Sequence, residues 1–327
     1  MEDRTGVGND IKKEVGELET RYRVSMLGAN VIYFLTAILL LTVGSYVQYQ
    51  DIKKGLLFTE YVLVLLPPLI YLCWKREKKK QFLRIKPLKG LHVILVISIT
   101  ILSYPVALFF NILFLAVFSL FGPIEQMPIP TPSTFSEYLL LMGIIAVSAG
   151  ICEEIFFRGF FMRTYERLGK KKAIWFSALL FGLFHFNIQN FAGPVVLGVI
   201  FGYLVYETDS LFSGIIGHIT NNGLAMTISF LGNIYLKNNS LPDSNAVSMP
   251  EPLQLIGSAF LIGIIALIAG TGAYFLFRIL RQKTIRTKGF ERMQPVWVEE
   301  RFPKLKYLPV LLTIILYGYV SFLQISG

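Results

Sequence analysis

Long runs of apolar residues recur along the whole 327-residue chain, and they constrain its fold more than any other feature. A run of about 18 or more such residues can cross a hydrocarbon core about 30 Å thick as a helix. Because 54% of the residues are hydrophobic, we predict an all-α, polytopic transmembrane helical bundle of about eight to nine helices. The predicted segments are 24–47, 56–74, 91–121, 138–157, 173–188, 191–206, 211–231, 253–277 and 307–325.

The basic residues predict how these segments are threaded. All but three of the 31 Lys and Arg residues fall in four regions, 1–23, 75–89, 158–172 and 278–306, which a nine-segment chain places on one side of a membrane. The positive-inside rule then predicts a multi-pass protein of the cell membrane with its N-terminus and basic loops in the cytoplasm. The net charge of +10 thus indicates topology and attraction to the lipid bilayer, and a nucleic-acid partner is not expected.

The chain divides into two parts of unequal size. Residues 1–23 carry charges of both signs and no apolar stretch of the kind found in signal peptides, so we predict a cytoplasmic N-terminal tail. Residues 24–327 form a single membrane domain. Its predicted catalytic core is about 138–231, because the polar residues inside apolar segments concentrate there.

The first group of such residues lies in the stretch "GICEEIFFRGFF". Glu154 and Arg158 are four positions apart on one helical face, in the order that favours an ion pair. Glu153 lies about 100° around the helix and has no cationic partner in it. We therefore interpret Glu154 as structural and Glu153 as a carboxylate that can act as general base or acid. The alternative is that Glu153 bonds a neighbouring helix or extends to the interface.

The second group is His185 in "FGLFHF". A turn is predicted at Gly169, which separates two antiparallel helices, and Glu153 and His185 each lie 16 residues from it. At 1.5 Å per residue both reach about 24 Å back from the turn, so we expect them at similar depth and within reach of each other.

The third group is "GHITNN", in which His218 and Asn222 share one helical face and Asn221, about 100° away, is secondary. A carboxylate, two imidazoles and an amide supply what amide hydrolysis needs, namely a base for water and donors for an oxyanion. A Glu with two His residues is equally a ligand set for catalytic zinc. The residues by themselves leave both mechanisms open.

A channel or transporter is disfavoured because the polar residues do not extend along a path.

These motifs resemble those of a known family. "EEIFFR" fits Glu-Glu-x-x-x-Arg, "FGLFH" fits Phe-x-x-x-His, and "HITNN" fits His-x-x-x-Asn, in that order on consecutive helices. The chain resembles the CAAX protease and bacteriocin-processing family of intramembrane proteases, which includes the prenyl-protein (CAAX) endopeptidases. The resemblance covers roughly residues 140–230. It implies an intramembrane endopeptidase acting on membrane-associated peptide or protein substrates, including lipidated CAAX-type proteins and leader peptides.

The resemblance also implies a role for each motif residue. Glu153 would be the catalytic carboxylate, with His185 as its partner in activating water. His218 and Asn222 would form the oxyanion site. The family is widely labelled metalloprotease, and a glutamate mechanism without metal is also argued for it. No metal is therefore committed, and zinc, if present, would be held by Glu153, His185 and His218.

Glu154 and Arg158 would be the supporting pair in the same scheme. All six motif positions are intact, which favours an active enzyme. The alternative on the same fold is a non-proteolytic membrane scaffold, a bacteriocin-immunity protein or a partner-binding protein.

Overall fold

The computed structural model describes residues 21–121, 130–239, 252–288, 296–297 and 299–326, and the described chain is almost entirely helical. Most of the predicted tail, residues 1–20, lies outside these ranges. The helices are α1 (Met26–Gln50), α2 (Ile52–Trp74), α3 (Lys79–Phe82), α4 (Gly90–Phe118), α5 (Phe135–Leu168), α6 (Lys170–Leu183), α7 (Ala192–Thr208), α8 (Leu211–Asn238), α9 (Pro252–Lys288) and α10 (Leu308–Ser326). A 3₁₀ turn, Ile188–Asn190, precedes α7.

Six described helices are long and apolar enough to cross a membrane, namely α1, α2, α4, α5, α7 with its preceding turn, and α9. The predicted all-α transmembrane fold class is therefore confirmed. The other three predicted segments also form helices. Helix α6 has only 14 residues, about 21 Å, and α10 is a shorter apolar helix. Helix α8 has 28 residues, but its apolar character is diluted by the polar "GHITNN" stretch.

Three of the long helices contain π-helical stretches, and those of α2 and α5 lie close to each other, while α1 has one at Leu40–Gly44. In α5 the π-helical stretches Met142–Ser148 and Ile155–Phe161 flank a regular segment, Ala149–Glu154. In α2 the stretch Thr59–Leu65 packs against that same segment. Single π turns are frequent at functional sites because the extra residue re-aims the side chains around it. The widened turns thus surround the predicted glutamates.

The helices nearest the glutamates approach one another closely. Helix α8 packs along α5, where a Cβ atom added at Gly150 would lie 2.7 Å from Ile219 Cγ1. Helices α6 and α7 form a tight hairpin. Helix α6 is fixed to its neighbours by Tyr33, whose hydroxyl donates to the Leu180 carbonyl, and by Ser177, whose hydroxyl donates to the Phe157 carbonyl. Helix α5 is thus held from several sides.

Three of the predicted basic regions meet at one end of the bundle. Arg84 pairs with Glu166 at 2.5 Å and with Asp209 at 2.8 Å, and Arg167 pairs with Glu300 at 2.5 Å. The predicted turn between α5 and α6 lies at this end, where Gly169 has φ +93°, a conformation that favours glycine. These contacts place parts of the regions 75–89, 158–172 and 278–306 together.

The segment leading into α1 lies at the same end. A two-stranded parallel sheet pairs β1 (Arg21–Tyr22) with β2 (Val296–Trp297), with Arg21 opposite Val296. Tyr22, near the end of the predicted tail, and Val24, the first residue of the predicted membrane domain, are both buried against the bundle.

Candidate active site

Glu154 and Arg158 form a buried ion pair at the centre of the site. Their side chains are fully buried, and Arg158 Nη1 lies 2.8 Å from Glu154 Oε1, the pairing expected from their spacing. The guanidinium also lies 4.3 Å from the ring centroid of Phe181 in α6. Burying one of these charges without the other would be costly, so each side chain compensates the burial of its partner.

His218 is bonded to that ion pair. Its Nδ1 atom lies 3.0 Å from Glu154 Oε1, so one carboxylate oxygen contacts both Arg158 and the imidazole. A carboxylate only accepts hydrogen bonds, which assigns a proton to Nδ1. The imidazole ring is held between Phe201, stacked at 5.7 Å, and Phe181, edge-on at 5.8 Å. The supporting pair thus orients His218, a link that the sequence analysis missed.

Glu153 lies on the other side of the same imidazole. Its Oε2 atom is 3.7 Å from His218 Nε2, and its side chain is mostly buried. Glu60 of α2 lies close to it, because the stretch Thr59–Leu65 packs against Ala149–Glu154. The neighbours of Glu153 thus come from other helices, as in the alternative interpretation that it bonds a neighbouring helix. The signal for Glu60 was present in the sequence as an ionisable residue within an apolar segment.

His185 lies just beyond the end of α6, which terminates at Leu183. Its Nδ1 lies 3.0 Å from the Phe181 carbonyl oxygen, so Nδ1 carries the proton and Nε2 is the acceptor nitrogen. The Phe181 ring contacts both His185 and His218. In the described ranges no hydrogen bond or ion pair joins His185 to Glu153. His185 is thus connected to His218 through Phe181, and its reach to Glu153 stays a prediction.

Asn222 is anchored to α5 by the contact of its Nδ2 with the Ile145 carbonyl oxygen at 3.0 Å. Its Oδ1 accepts a hydrogen bond of 3.0 Å from Nδ2 of Asn221. Asn221 is buried, so this secondary residue of the sequence analysis takes part in holding Asn222. A side-chain amide has two N–H donors, and the second one of Asn222 is not used by the Ile145 contact.

The zinc alternative requires Glu153, His185 and His218 to converge on one point. Over the residues that the structure describes, no group of three or more His, Cys, Asp or Glu side chains is arranged to hold a metal ion. The Nδ1 atoms of both histidines are bonded to protein oxygens, which leaves both Nε2 atoms available, the arrangement usual for histidines that bind a metal. Zinc binding by Glu153, His185 and His218 therefore stays a prediction.

Gly214 leaves the space that the Glu154 carboxylate occupies. A Cβ atom at this position of α8 would overlap with Glu154 Oε2 and lie 2.8 Å from Val205 Cγ2. We expect Gly214→Ala to destabilise the protein by about 1–3 kcal/mol and to lower activity, because overpacking displaces the carboxylate that orients His218. Thermal unfolding in detergent would measure the first effect.

Gly232→Ala is the matched control in the same helix. No atom lies within 4 Å of a Cβ added there, so this substitution should be neutral or stabilising by up to about 1 kcal/mol. Equal behaviour of the two variants would contradict the tight contact at Gly214.

Comparison with known proteins identifies the region that carries these residues. Residues 135–224 match the family model described as "Type II CAAX prenyl endopeptidase Rce1-like". The match runs from the start of α5 into α8 and includes all six motif positions. It confirms the resemblance that the three motifs predict. No curated protein and no solved structure matches the chain.

Proposed function

We propose that this protein, whose residues 135–224 match the Rce1-like CAAX prenyl endopeptidases, is an intramembrane endopeptidase that uses a glutamate to activate water. One observation carries the proposal. Glu153, in a membrane-spanning helix, lies 3.7 Å from an imidazole nitrogen whose orientation is set by a buried ion pair. Placing an ionisable side chain inside a membrane is costly in free energy, so such residues are functional candidates by default.

In the proposed reaction Glu153 and His185 act on one water molecule. A water between them can donate one hydrogen bond to the carboxylate and one to His185 Nε2, which explains why the two groups need no direct contact. Glu153 takes a proton as the water oxygen forms a bond to the peptide carbonyl carbon. When the carbon–nitrogen bond breaks, the same proton passes to the departing amine, and the carboxylate is restored.

His218 and Asn222 are the proposed donors to the oxyanion. Because Nδ1 of His218 is held by Glu154, the imidazole can donate from Nε2 only as an imidazolium ion. Arg158 contacts the same Glu154 oxygen and fixes the carboxylate that orients the ring. The second N–H of Asn222 supplies the other donor. Donors fixed in advance stabilise the oxyanion without reorganising as charge develops.

The proposed substrates are membrane-associated peptides or proteins, with prenylated CAAX-type C-termini and leader peptides as the two classes to test. A site between membrane helices is reached most readily by a substrate that is itself held in the bilayer. We propose that the site opens toward the basic end of the bundle, in the cytoplasm, as the charge distribution predicts.

The test is a cleavage assay on the protein in liposomes. A farnesylated CAAX peptide, the same peptide without the lipid and a leader-type peptide are each incubated with the protein, and products are identified by mass spectrometry. We expect cleavage of at least one peptide, and its loss in His185→Ala. The proposed glutamate mechanism predicts a rate unchanged by 1,10-phenanthroline, because in it Glu153 and His185 alone activate the water. Inhibition that added zinc reverses would contradict the glutamate mechanism.

Failure to cleave any of the three peptides, in protein that is folded, would favour the non-proteolytic scaffold, immunity or partner-binding alternative. The lipid-free peptide is the internal control for substrate class. Equal rates for the lipidated and lipid-free peptides would contradict recognition of the prenyl group while leaving peptidase activity established.

A further inference from the structure

Helix α10 lies outside the region 135–224 that matches the family model, and the proposed mechanism uses none of its residues. It packs beside α1, and near its end Gln324 contacts the segment between α6 and α7. That segment begins after Leu183 and carries His185. The contact therefore joins a helix without a motif residue to the histidine that is proposed to activate water.

Gln324 forms two hydrogen bonds with the backbone immediately after His185. Its Nε2 donates to the Phe186 carbonyl oxygen at 2.9 Å, and its Oε1 accepts from the Ile188 N–H at 3.1 Å. One side-chain amide thus holds an acceptor and a donor that lie two residues apart. Phe186 and Ile188 are buried, so these backbone groups need partners inside the protein.

The backbone held by Gln324 has a conformation that is rare for a bulky residue. Phe186 has φ +46°, in the left-handed region that favours glycine. Such a conformation persists only where the surrounding structure imposes it, and it is frequent at functional sites. The Phe186 ring also packs against Tyr317, with ring centroids 6.2 Å apart. Tyr317 and Gln324 are seven positions apart on one face of α10, so this helix holds both the ring and the backbone of Phe186.

The turn at Phe186 affects His185 because the two residues are adjacent in one tight turn at the end of α6. The Phe186 N–H donates to the Leu183 carbonyl at 3.2 Å. The His185 N–H donates to the Gly182 carbonyl at 3.3 Å, and its ring is held through Nδ1 by the Phe181 carbonyl. The backbone of His185 is thus fixed by α6 on one side and, through Phe186, by α10 on the other.

We propose that Gln324 is a positioning residue for His185, whose amide fixes the turn at Phe186 so that His185 Nε2 faces the water that Glu153 deprotonates. A group that acts on a proton must lie within hydrogen-bonding distance of it, which makes its position as important as its chemistry. This inference rests on the proposed function for its kinetic consequence. Its structural part, the control of His185 by α10, does not depend on catalysis.

The kinetic test replaces Gln324 with methionine, which has a similar length and no N–H donor. We expect kcat to fall by about 10- to 100-fold with KM little changed, because a displacement of about 1 Å at a reacting group has an effect of this size. Thr313→Val is the control. It removes a buried hydroxyl of α10 that donates to the Pro309 carbonyl of the same helix, and it should leave kcat unchanged. An unchanged kcat in folded Gln324→Met protein, or equal losses in the two variants, would overturn the proposal.

Gln324→Asn carries the same test if Gln324→Met does not fold. Its amide is one carbon shorter and can keep only one of the two bonds. We therefore expect kcat to fall by about 3- to 10-fold, the value of one neutral hydrogen bond. A kcat equal to that of the wild type would then leave Gln324 a purely structural residue and overturn the proposal.

Solid-state NMR of the substrate-free protein in liposomes tests the link to His185 independently. The chain has three histidines, so isotope-labelled histidine gives few ring signals, and those lost in His185→Ala identify His185. We expect the His185 signals to shift or broaden in Gln324→Met, with the His92 signals and the whole Thr313→Val spectrum unchanged. His185 signals that do not change would overturn the proposal. Signals that change as expected in a protein that cleaves no test peptide would sink the proposed function and retain the control of His185 by α10.

Discussion

Replacing Glu153 with glutamine should lower kcat for peptide cleavage by about 10²- to 10⁴-fold, the contribution of a positioned general base. Glutamine has the same shape, but its amide cannot accept the proton of an attacking water. Because the side chain lies beside His218 Nε2, the neutral amide can still form a hydrogen bond in this place. We therefore expect the loss of activity without a large loss of stability.

The measurement is the rate of product formation in liposomes, made alongside thermal unfolding of the same preparations. Glu137→Gln makes the same chemical change at a partly exposed position of the same helix and should retain full activity. Substantial cleavage by folded Glu153→Gln protein would contradict the assignment of Glu153 as the base.

Replacing Arg158 with methionine is expected to have the largest effect on stability. The substitution removes the arginine that pairs with the buried Glu154 carboxylate, and breaking a buried ion pair typically costs about 3–5 kcal/mol. Activity should fall as well, since the carboxylate that orients His218 is no longer fixed. Denaturant or thermal unfolding in detergent gives the first effect, and the cleavage rate gives the second.

The double variant Glu154→Gln with Arg158→Met separates these two effects. Removing both charges should restore most of the lost stability, because neutral replacements for buried pairs are often tolerated. Activity should remain low, since a glutamine at position 154 does not provide the charge-assisted hydrogen bond that orients His218. A double variant that is as unstable as Arg158→Met would contradict a simple charge-pair explanation.

Much of the membrane architecture could be predicted because lipid imposes a simple rule on sequence. Backbone polar groups must be satisfied inside an apolar segment, so long apolar runs become helices. Some helix ends could also be predicted from local residues. At Gly169, for example, a positive φ ends α5 before α6 begins. Pro105 was tolerated within α4, which continues unbroken from Gly90 to Phe118.

The site was only partly predictable. The ion pair between Glu154 and Arg158 follows from helical periodicity, which fixes neighbours four positions apart within one helix. The contact between Glu154 and His218 joins residues 64 positions apart, and periodicity carries no information about it. The π-helical turns on both sides of Ala149–Glu154 also change the directions in which the side chains of α5 point. A regular helical wheel does not represent this change.

The sequence by itself determined that the chain is a helical membrane protein and which polar residues require an explanation, because the cost of burying charge in lipid is a property of each residue. Only the tertiary structure decided the partners of those residues. His218 is oriented by Glu154, and Glu153 lies near Glu60, because α8 and α2 pack against the same segment of α5. Packing depends on the shapes of whole helices, and it joins groups that no local pattern relates.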